Sequence, residues 1–186
     1  MRRTVITTLA VVLAGSTLGA SSCGTETTSK PDQPGGSGGG SGGGGETSTP
    51  QARLGDSITL KGTDTKMKVT VIRVIDPVAA SEFDKPSSGH RFVGVQVKLK
   101  NVGDKTYSDA PSNGAKLIAT GDEQADPALL TSGDCSSGFG SDATISAGSQ
   151  EQGCIPFEVK NGKRPKRFQF GLDSGFGPQT GEWSLR

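Results

Sequence analysis

The sequence is poor in the residues on which most catalytic and metal sites depend. Its 186 residues include one histidine, three cysteines and only 5% aromatic residues. A zinc site built from His and Cys is excluded because too few ligands are available: there is one histidine, and each cysteine has a different predicted role, described below. The single histidine, His90, follows Ser-Ser-Gly, which indicates an exposed loop rather than a Ser-His-Asp site. We therefore predict a non-enzymatic protein with no catalytic residue, no metal and no cofactor.

The chain also lacks an apolar run that could span a membrane and lacks an excess of charge. The stretch from Val5 to Ala20 covers about 16 residues, whereas a membrane-spanning helix needs about 20, so a retained transmembrane anchor is disfavoured. The formal net charge of +1 argues against nucleic acid as a partner.

An export signal opens the chain. A positive start and the short apolar segment are followed by Gly19-Ala20-Ser21-Ser22 and then Cys23. A cysteine directly after small residues resembles a lipoprotein signal, in which the sulfur is acylated. We predict a lipoprotein signal peptide over 1–22, a lipidated Cys23, and a location on the extracytoplasmic face of a bacterial cell membrane. Secretion after cleavage at Ala20 is the alternative.

A tract rich in glycine and serine follows the cysteine and has no apolar periodicity. We predict that 23–53 is a disordered linker, because it cannot bury enough surface to offset its ordering entropy. Residues 35–39 match the nucleophile-elbow pattern and 38–43 match the dinucleotide fingerprint. Neither match follows a strand or opens a helix, so both are products of composition.

The domain that remains, 54–186, contains seven segments with the alternation and β-branched content of strands. They are Ser57–Lys61, Met67–Ile75, Arg91–Lys100, Lys116–Thr120, Gln152–Lys160, Arg167–Gly171 and Glu182–Leu185. Asn161-Gly162 predicts a hairpin between the fifth and sixth. Pro156 predicts an edge strand or a bulge, and a helical turn is expected near 125–130. The pattern predicts an all-β, antiparallel sandwich of about seven strands.

Cys135 and Cys154 form an even pair in an exported domain, which predicts a disulfide. Their spacing is far from Cys-x-x-Cys, so a redox-active pair is disfavoured. Trp183 is the only tryptophan, and we expect it to pack in the core or at an edge rather than to bind a ligand.

The order of strands and turns resembles a Gram-positive extracellular lipoprotein domain of unknown function, related to the mycobacterial immunoprotective extracellular protein. The resemblance lies in Arg91–Asp104 with its Asn-Val-Gly-Asp ending, in Lys116–Asp122, in Ala147-Gly148, in Ile155–Val159 and in Arg167–Phe170. It implies an immunoglobulin-like β-sandwich and brings no established catalytic residues.

A cluster of cations surrounds the Asn161-Gly162 turn and is the candidate contact for an anion. This basic cluster consists of Lys160, Lys163, Arg164, Lys166 and Arg167. It is either a solvated turn or a contact for wall polymer or lipid headgroups. Asp122, Glu123 and Asp126 lack the pattern of a calcium loop and favour a solvated acidic turn.

Three functions remain open on this sequence. The first is a membrane-anchored binding or interaction module whose partner is cell-wall polymer or an extracytoplasmic protein. The second is an accessory or sensor ectodomain of a membrane complex. The third is a wall-associated hydrolase with paired carboxylates, although no pair stands out among the acidic residues. A deep polar pocket near His90 would favour the hydrolase, and an exposed apolar patch would favour the other two.

Overall fold

Eleven strands form in the part of the chain that the computed structural model describes. The described residues are 25–32, 51–79, 81–131, 133–136, 138–139 and 142–186. The strands are β1 (Glu26–Thr28), β2 (Ser57–Lys61), β3 (Lys66–Ile75), β4 (His90–Asn101), β5 (Tyr107–Asp109), β6 (Ala115–Ala119), β7 (Gln124–Ala125), β8 (Ala143–Ile145), β9 (Gln150–Lys160), β10 (Pro165–Gly171) and β11 (Gln179–Ser184). Two short 3-10 helices cover Pro111–Gly114 and Asp173–Gly175.

Two of the sheets pack face to face, so the predicted all-β sandwich is confirmed. One sheet has the order β1-β11-β10-β6-β7, the other has the order β2-β3-β4-β9, and β5 pairs separately with β8. Every pairing is antiparallel except that of β1 with β11. All seven predicted strands form. The four strands that were not predicted are two or three residues long, too short to show an alternating pattern.

The core is built from the alternating faces that the sequence displays. The side chains of Val93, Val95, Val97 and Leu99 on β4 are fully buried between the sheets. From the opposite sheet, the ring of Trp183 is also fully buried, and its Nε1 donates a hydrogen bond to the Asp56 carbonyl at 3.1 Å. Of the two expected places for this tryptophan, the core or an edge, the structure shows the core.

A buried asparagine stands at the start of the Asn-Val-Gly-Asp turn. Asn101 has no solvent exposure, yet its side chain is fully engaged. Its Nδ2 donates to the carbonyls of Lys105 and Ile145 at 2.7 and 2.8 Å, and its Oδ1 accepts from the Gly103 N–H at 3.0 Å. The residue therefore joins the end of β4 to two loops, which is a structural role.

The predicted hairpin at Asn161-Gly162 is wrong. A turn does form there, with Gly162 at φ +81°, but β9 and β10 lie in different sheets. Phe157 on β9 and Phe168 on β10 face each other edge to face across the core, with ring centroids 6.2 Å apart. Burying both phenylalanine rings between the layers favours this crossover over a paired hairpin.

The segment 125–130 contains no helical turn, contrary to expectation. Gln124 and Ala125 form β7, Pro127 bridges to Phe157, and the Ala128 N–H donates to the Pro156 carbonyl at 2.7 Å. The segment satisfies its backbone groups against the outer edge of β9, and Pro127 disfavours helix at the residue before it. The prediction that Pro156 marks an edge strand is confirmed, since β9 ends its sheet.

Part of the predicted linker belongs to the sandwich. β1 pairs in parallel with β11, and the Ala52 N–H donates to the Ser29 carbonyl at 2.7 Å. The Asp32 carboxylate accepts the N–H and the hydroxyl of Thr59 at 2.9 and 2.7 Å. The structure thus differs from the expectation of a disordered linker over 25–32. Three polar residues, Glu-Thr-Thr, give no apolar alternation that would predict this strand.

Candidate functional site

The basic cluster lies at one end of the sandwich, around the turn that joins β9 to β10. Strand β4 begins at the same end, because His90 pairs with Lys160. The turn between β6 and β7 faces the cluster and brings two acidic residues, Asp122 and Glu123, to it. The charges at this end are therefore mixed rather than purely basic.

Three of the five cations pair with carboxylates. Lys166 Nζ and Arg167 Nη2 lie 3.0 and 3.2 Å from Asp122 Oδ1, and Lys163 Nζ lies 3.5 Å from Glu123 Oε2. The hydrogen bond from Lys166, followed by its charge, lowers the pKa of Asp122. These pairs occupy Asp122 and Glu123, two of the three acidic residues that the sequence offered as calcium ligands, whereas Asp126 accepts a hydrogen bond from Gln124. No group of three metal-ligating side chains forms among the described residues.

Arg91 holds the turn of the basic cluster from the side. Its guanidinium binds the Asp76 carboxylate through two bonds of 2.6 and 2.7 Å, and it donates to the carbonyls of Lys160 and Lys163 at 3.1 and 2.9 Å. The hydrogen bond with Asp76 raises the pKa of Arg91. The turn is thus fixed. Lys160 and Arg164 remain exposed, and within the described residues no carboxylate pairs with them.

A shallow hollow of about 300 Å³ lies beside His90 and is open to solvent. The His90 Nδ1 lies 3.1 Å from the Ser88 carbonyl oxygen, and the Ser87 N–H donates to Glu158. Hydrogen bonds with Ser87, and then the charge of His90, lower the pKa of Glu158. In the described residues no serine hydroxyl is hydrogen-bonded to the ring. The hollow can accept a polar group.

The predicted disulfide is confirmed: Cys135 and Cys154 are bonded, with their Cα atoms 5.1 Å apart. The bond lies on the outer face of the four-stranded sheet, in a second apolar cluster with Val78 and Phe92. Gly94 on β4 makes room for it. A Cβ at position 94 would lie 2.8 and 2.9 Å from the two sulfur atoms.

Two exposed apolar side chains flank this second cluster and were not singled out from the sequence. Phe83 is 85% exposed and Leu129 is 91% exposed. Their loops are joined because the Thr131 N–H and hydroxyl donate to the Asp84 carboxylate at 3.0 and 2.9 Å. We call residues 81–84 and 128–131 the loop pair. Beside it lies a cleft of about 140 Å³, lined in part by Leu130 and the disulfide.

The sequence carried only a weak signal for the loop pair. An isolated phenylalanine or leucine in a loop resembles any surface apolar residue, and its exposure depends on which strands its loop covers. The predicted lipidation residue, Cys23, lies outside the described residues. No helix of the described segments has the length and hydropathy needed to cross a membrane.

A comparison with known families assigns the chain to one of them. Residues 57–179 match DUF4352, a domain of unknown function, and the chain is a member of that family. No curated protein sequence matches the chain.

Solved structures with a similar fold come from several bacteria. The yjhA protein of Bacillus subtilis is 15% identical, with a TM-score of 0.51 over 73% of this chain and 100% of its own. The ycdA protein of the same species, assigned as a lipoprotein, is 23% identical, with a TM-score of 0.51 over 67% of this chain and 37% of its own. A secreted protein of Mycobacterium tuberculosis, MPT63, is 17% identical, with a TM-score of 0.49 over 72% of this chain and 95% of its own. The similarity to the two Bacillus proteins agrees with the β-sandwich found here.

Proposed function

We propose that the chain is a lipid-anchored, extracytoplasmic and non-enzymatic binding module whose partner is another extracytoplasmic protein. The observation that carries this proposal is the loop pair, which presents two large apolar side chains to solvent on fastened loops. Burying an exposed phenylalanine or leucine side chain contributes about 1.5–3 kcal/mol. Loops that are already held in place by hydrogen bonds lose less entropy when they bind.

The surroundings of the loop pair narrow the chemistry of that partner. Glu82 and Asp134 are exposed beside the apolar residues, and Lys85 is an exposed cation next to them. A partner surface with an apolar pocket and a rim that is basic opposite Glu82 and Asp134 would complement them, because opposite charges at the rim of an apolar centre orient specific interfaces.

Two observations support the extracytoplasmic location. Cys23 follows the small residues of a lipoprotein signal. The Cys135–Cys154 disulfide suits an oxidising compartment, in which such bonds persist. The description of ycdA as a lipoprotein agrees with the anchor.

Lipidation is tested by metabolic labelling with a fatty-acid analogue. The wild-type chain should be labelled and the Cys23→Ser variant should not. Label that survives the substitution, or a mature N-terminus at Ser21, would reject the lipid anchor and leave secretion as the route.

Protein binding is tested by a photo-crosslinking residue placed at position 83 or 129 in intact cells. Both positions should yield the same crosslinked protein, and Leu129→Ser should reduce the yield from position 83. The matched control is position 176, where a phenylalanine is equally exposed at 89% on another loop. Equal capture from 176, or none from 83 and 129, would contradict a protein partner at the loop pair.

The same experiment separates the other two functions. A captured integral membrane protein would favour an accessory or sensor ectodomain. A hydrolase would instead depend on the hollow beside His90, and His90→Ala would then abolish turnover of wall material by the purified chain.

A further inference from the structure

We infer that the end of the sandwich carrying Phe176 is a membrane-contact surface that lies against the lipid bilayer. This inference rests on the proposed lipid anchor at Cys23 and adds an orientation that the anchor alone does not supply. It starts from β1, the strand that follows Cys23 almost directly in the chain.

β1 brings the anchor point close to the folded body. Glu26 pairs with Gln179, and its N–H donates to the Pro178 carbonyl at 3.0 Å. Cys23 precedes Glu26 by three residues, so their Cα atoms are separated by at most about 11 Å. The glycine-rich tract lies after β1, between Asp32 and Ala52, which are both hydrogen-bonded to the sandwich. It therefore does not lengthen the connection between Cys23 and β1.

Phe176 lies beside this anchor point. Its side chain is 89% exposed. It lies two residues before Pro178, whose carbonyl accepts the hydrogen bond from the Glu26 N–H. Hydrogen bonds fix its loop: the N–H of Phe176 donates to the Asp173 carbonyl at 3.0 Å, and Ser174 donates to the Asp109 carboxylate through its N–H and hydroxyl, both at 2.6 Å. Asp173 and Ser174 both have φ of 55°, a conformation that non-glycine residues rarely adopt.

The neighbouring loops extend the same surface. The turn between β2 and β3 contacts the Phe176 loop, since the Thr63 N–H donates to the Asp173 carboxylate at 2.6 Å. That turn also touches the loop after β4, where Val102 is 41% exposed and donates its N–H to the Lys66 carbonyl at 2.9 Å. We call this surface, formed by 61–66, 102–105 and 173–178, the anchor end.

The charges of the anchor end nearly balance. They are Lys61, Lys66 and Lys105 against Asp64, Asp104 and Asp173, and Glu26 at the start of β1 adds one negative charge. A bilayer would therefore attract this end through the apolar Phe176 and Val102 side chains rather than through charge. Phenylalanine, like tryptophan and leucine, is typical of the face that interfacial protein segments bury at the boundary between headgroups and acyl chains.

The position of the lipid anchor indicates that the anchor end contacts lipid and not a protein. A lipid on Cys23 would hold the anchor end within a few residues of the bilayer surface, and an apolar side chain there would meet lipid before it could meet a protein partner. The second exposed phenylalanine, Phe83, lies in the loop at the far end of β3, and the geometry gives it no such neighbour.

The experiment uses a lipid attached in vitro, so that it does not depend on acylation in cells. The chain beginning at Ser21 has one thiol outside the disulfide, Cys23. That thiol is coupled to a maleimide carrying one C14 chain, which alone gives weak and reversible membrane binding. Partition into phosphatidylethanolamine–phosphatidylglycerol vesicles at 7:3 is then measured by co-sedimentation.

Phe176→Ser should lower the partition coefficient about tenfold, the effect of removing one buried aromatic side chain. The matched control Phe83→Ser should leave it unchanged, and added salt should have little effect. When the same chain is coupled at position 161, in the Cys23→Ser, Asn161→Cys variant, Phe176→Ser should no longer matter.

Equal losses from Phe83→Ser and Phe176→Ser, or no loss from Phe176→Ser, would overturn the membrane contact. A persistent effect of Phe176→Ser with the lipid at position 161 would overturn the argument from the position of the anchor. Failure of metabolic labelling at Cys23 in cells would reject the anchor itself and would leave the result of this experiment unchanged.

Discussion

Tyr107, the single tyrosine of the chain, is almost completely buried close to two carboxylates. Burial raises the pKa of its hydroxyl far above its ordinary value, and the charges of Asp109 and Asp173 raise it further. A pKa that is higher in the folded state than in the unfolded state contributes stability that is fully present below the unfolded value, about pH 10. This contribution is lost as the pH rises further, because only the unfolded chain then releases the proton.

We therefore expect no tyrosinate absorbance while the protein stays folded, and a free energy of unfolding that falls above about pH 10 by up to about 1.4 kcal/mol per pH unit from this residue. Tyr107→Phe should remove that share of the decline. Absorbance and circular dichroism, followed together through an alkaline titration, provide the measurement. Tyrosinate that appears near pH 10 in a folded protein would contradict the expectation.

Single residues were predicted from the sequence where their chemistry is local. Trp183 was expected to pack in the core or at an edge because of its size. The cysteine pair was expected to be bonded because an exported domain with an even number of cysteines meets an oxidising compartment. The need for glycine at position 94 depends on which loop covers the sheet, and the sequence does not display this. The exposure of Phe83 and of Phe176 depends on tertiary placement in the same way.

At the scale of elements, the disulfide loop and strand β4 fit together through Gly94. Gly94→Ala places a Cβ 2.8 and 2.9 Å from the two sulfur atoms, closer than an ordinary van der Waals contact, and overpacking of this kind costs about 1–3 kcal/mol. In a Cys135→Ala, Cys154→Ala background the sulfur atoms are absent, so the same substitution should cost about 1 kcal/mol less.

Urea unfolding of the four proteins in this cycle measures the coupling. The disulfide itself should contribute about 3 kcal/mol, so the double alanine variant is expected to fold with a lower melting temperature. An equal cost of Gly94→Ala in both backgrounds would show that the loop does not pack against β4 through the sulfur atoms.

The elements themselves were predicted unevenly. Long strands such as β4 and β9 were predicted because one face is buried along their whole length, and the alternation records this. Which strands pair depends on tertiary packing and not on local sequence. The prediction of a turn at Asn161-Gly162 was therefore correct, whereas the prediction of a hairpin was wrong. β1 is held by backbone hydrogen bonds at a sheet edge. Such bonds do not require particular side chains, so the sequence does not predict this strand.

At the scale of the whole molecule, the anchor end and the basic cluster lie at opposite ends of the sandwich. Along β11, Gln179 pairs with Glu26 next to the anchor point, whereas Ser184 pairs with Arg167 in the basic cluster. β4 spans the same distance with 12 residues, about 35–40 Å. A chain held at the anchor end would therefore direct the basic cluster away from the bilayer and toward the cell wall.

This orientation favours anionic wall polymer over lipid headgroups as the ligand of the basic cluster. The ion pairs at Lys163, Lys166 and Arg167 leave Lys160 and Arg164 as the exposed cations, so binding should depend on those two. We expect Lys160→Gln with Arg164→Gln to abolish retention of the chain on an anionic polyphosphate-type polymer. Lys166→Gln should change retention little, and neither variant should shift stability by more than about 0.5 kcal/mol.

Salt decides whether that retention is electrostatic. Exposed charges are screened over about 8–10 Å at physiological ionic strength, so binding through two cations should weaken steeply between low salt and that value. The body of the chain offers little long-range attraction, because its formal net charge is +1. Retention that is insensitive to salt, or that is lost equally in Lys166→Gln, would show that Lys160 and Arg164 are ordinary solvated side chains.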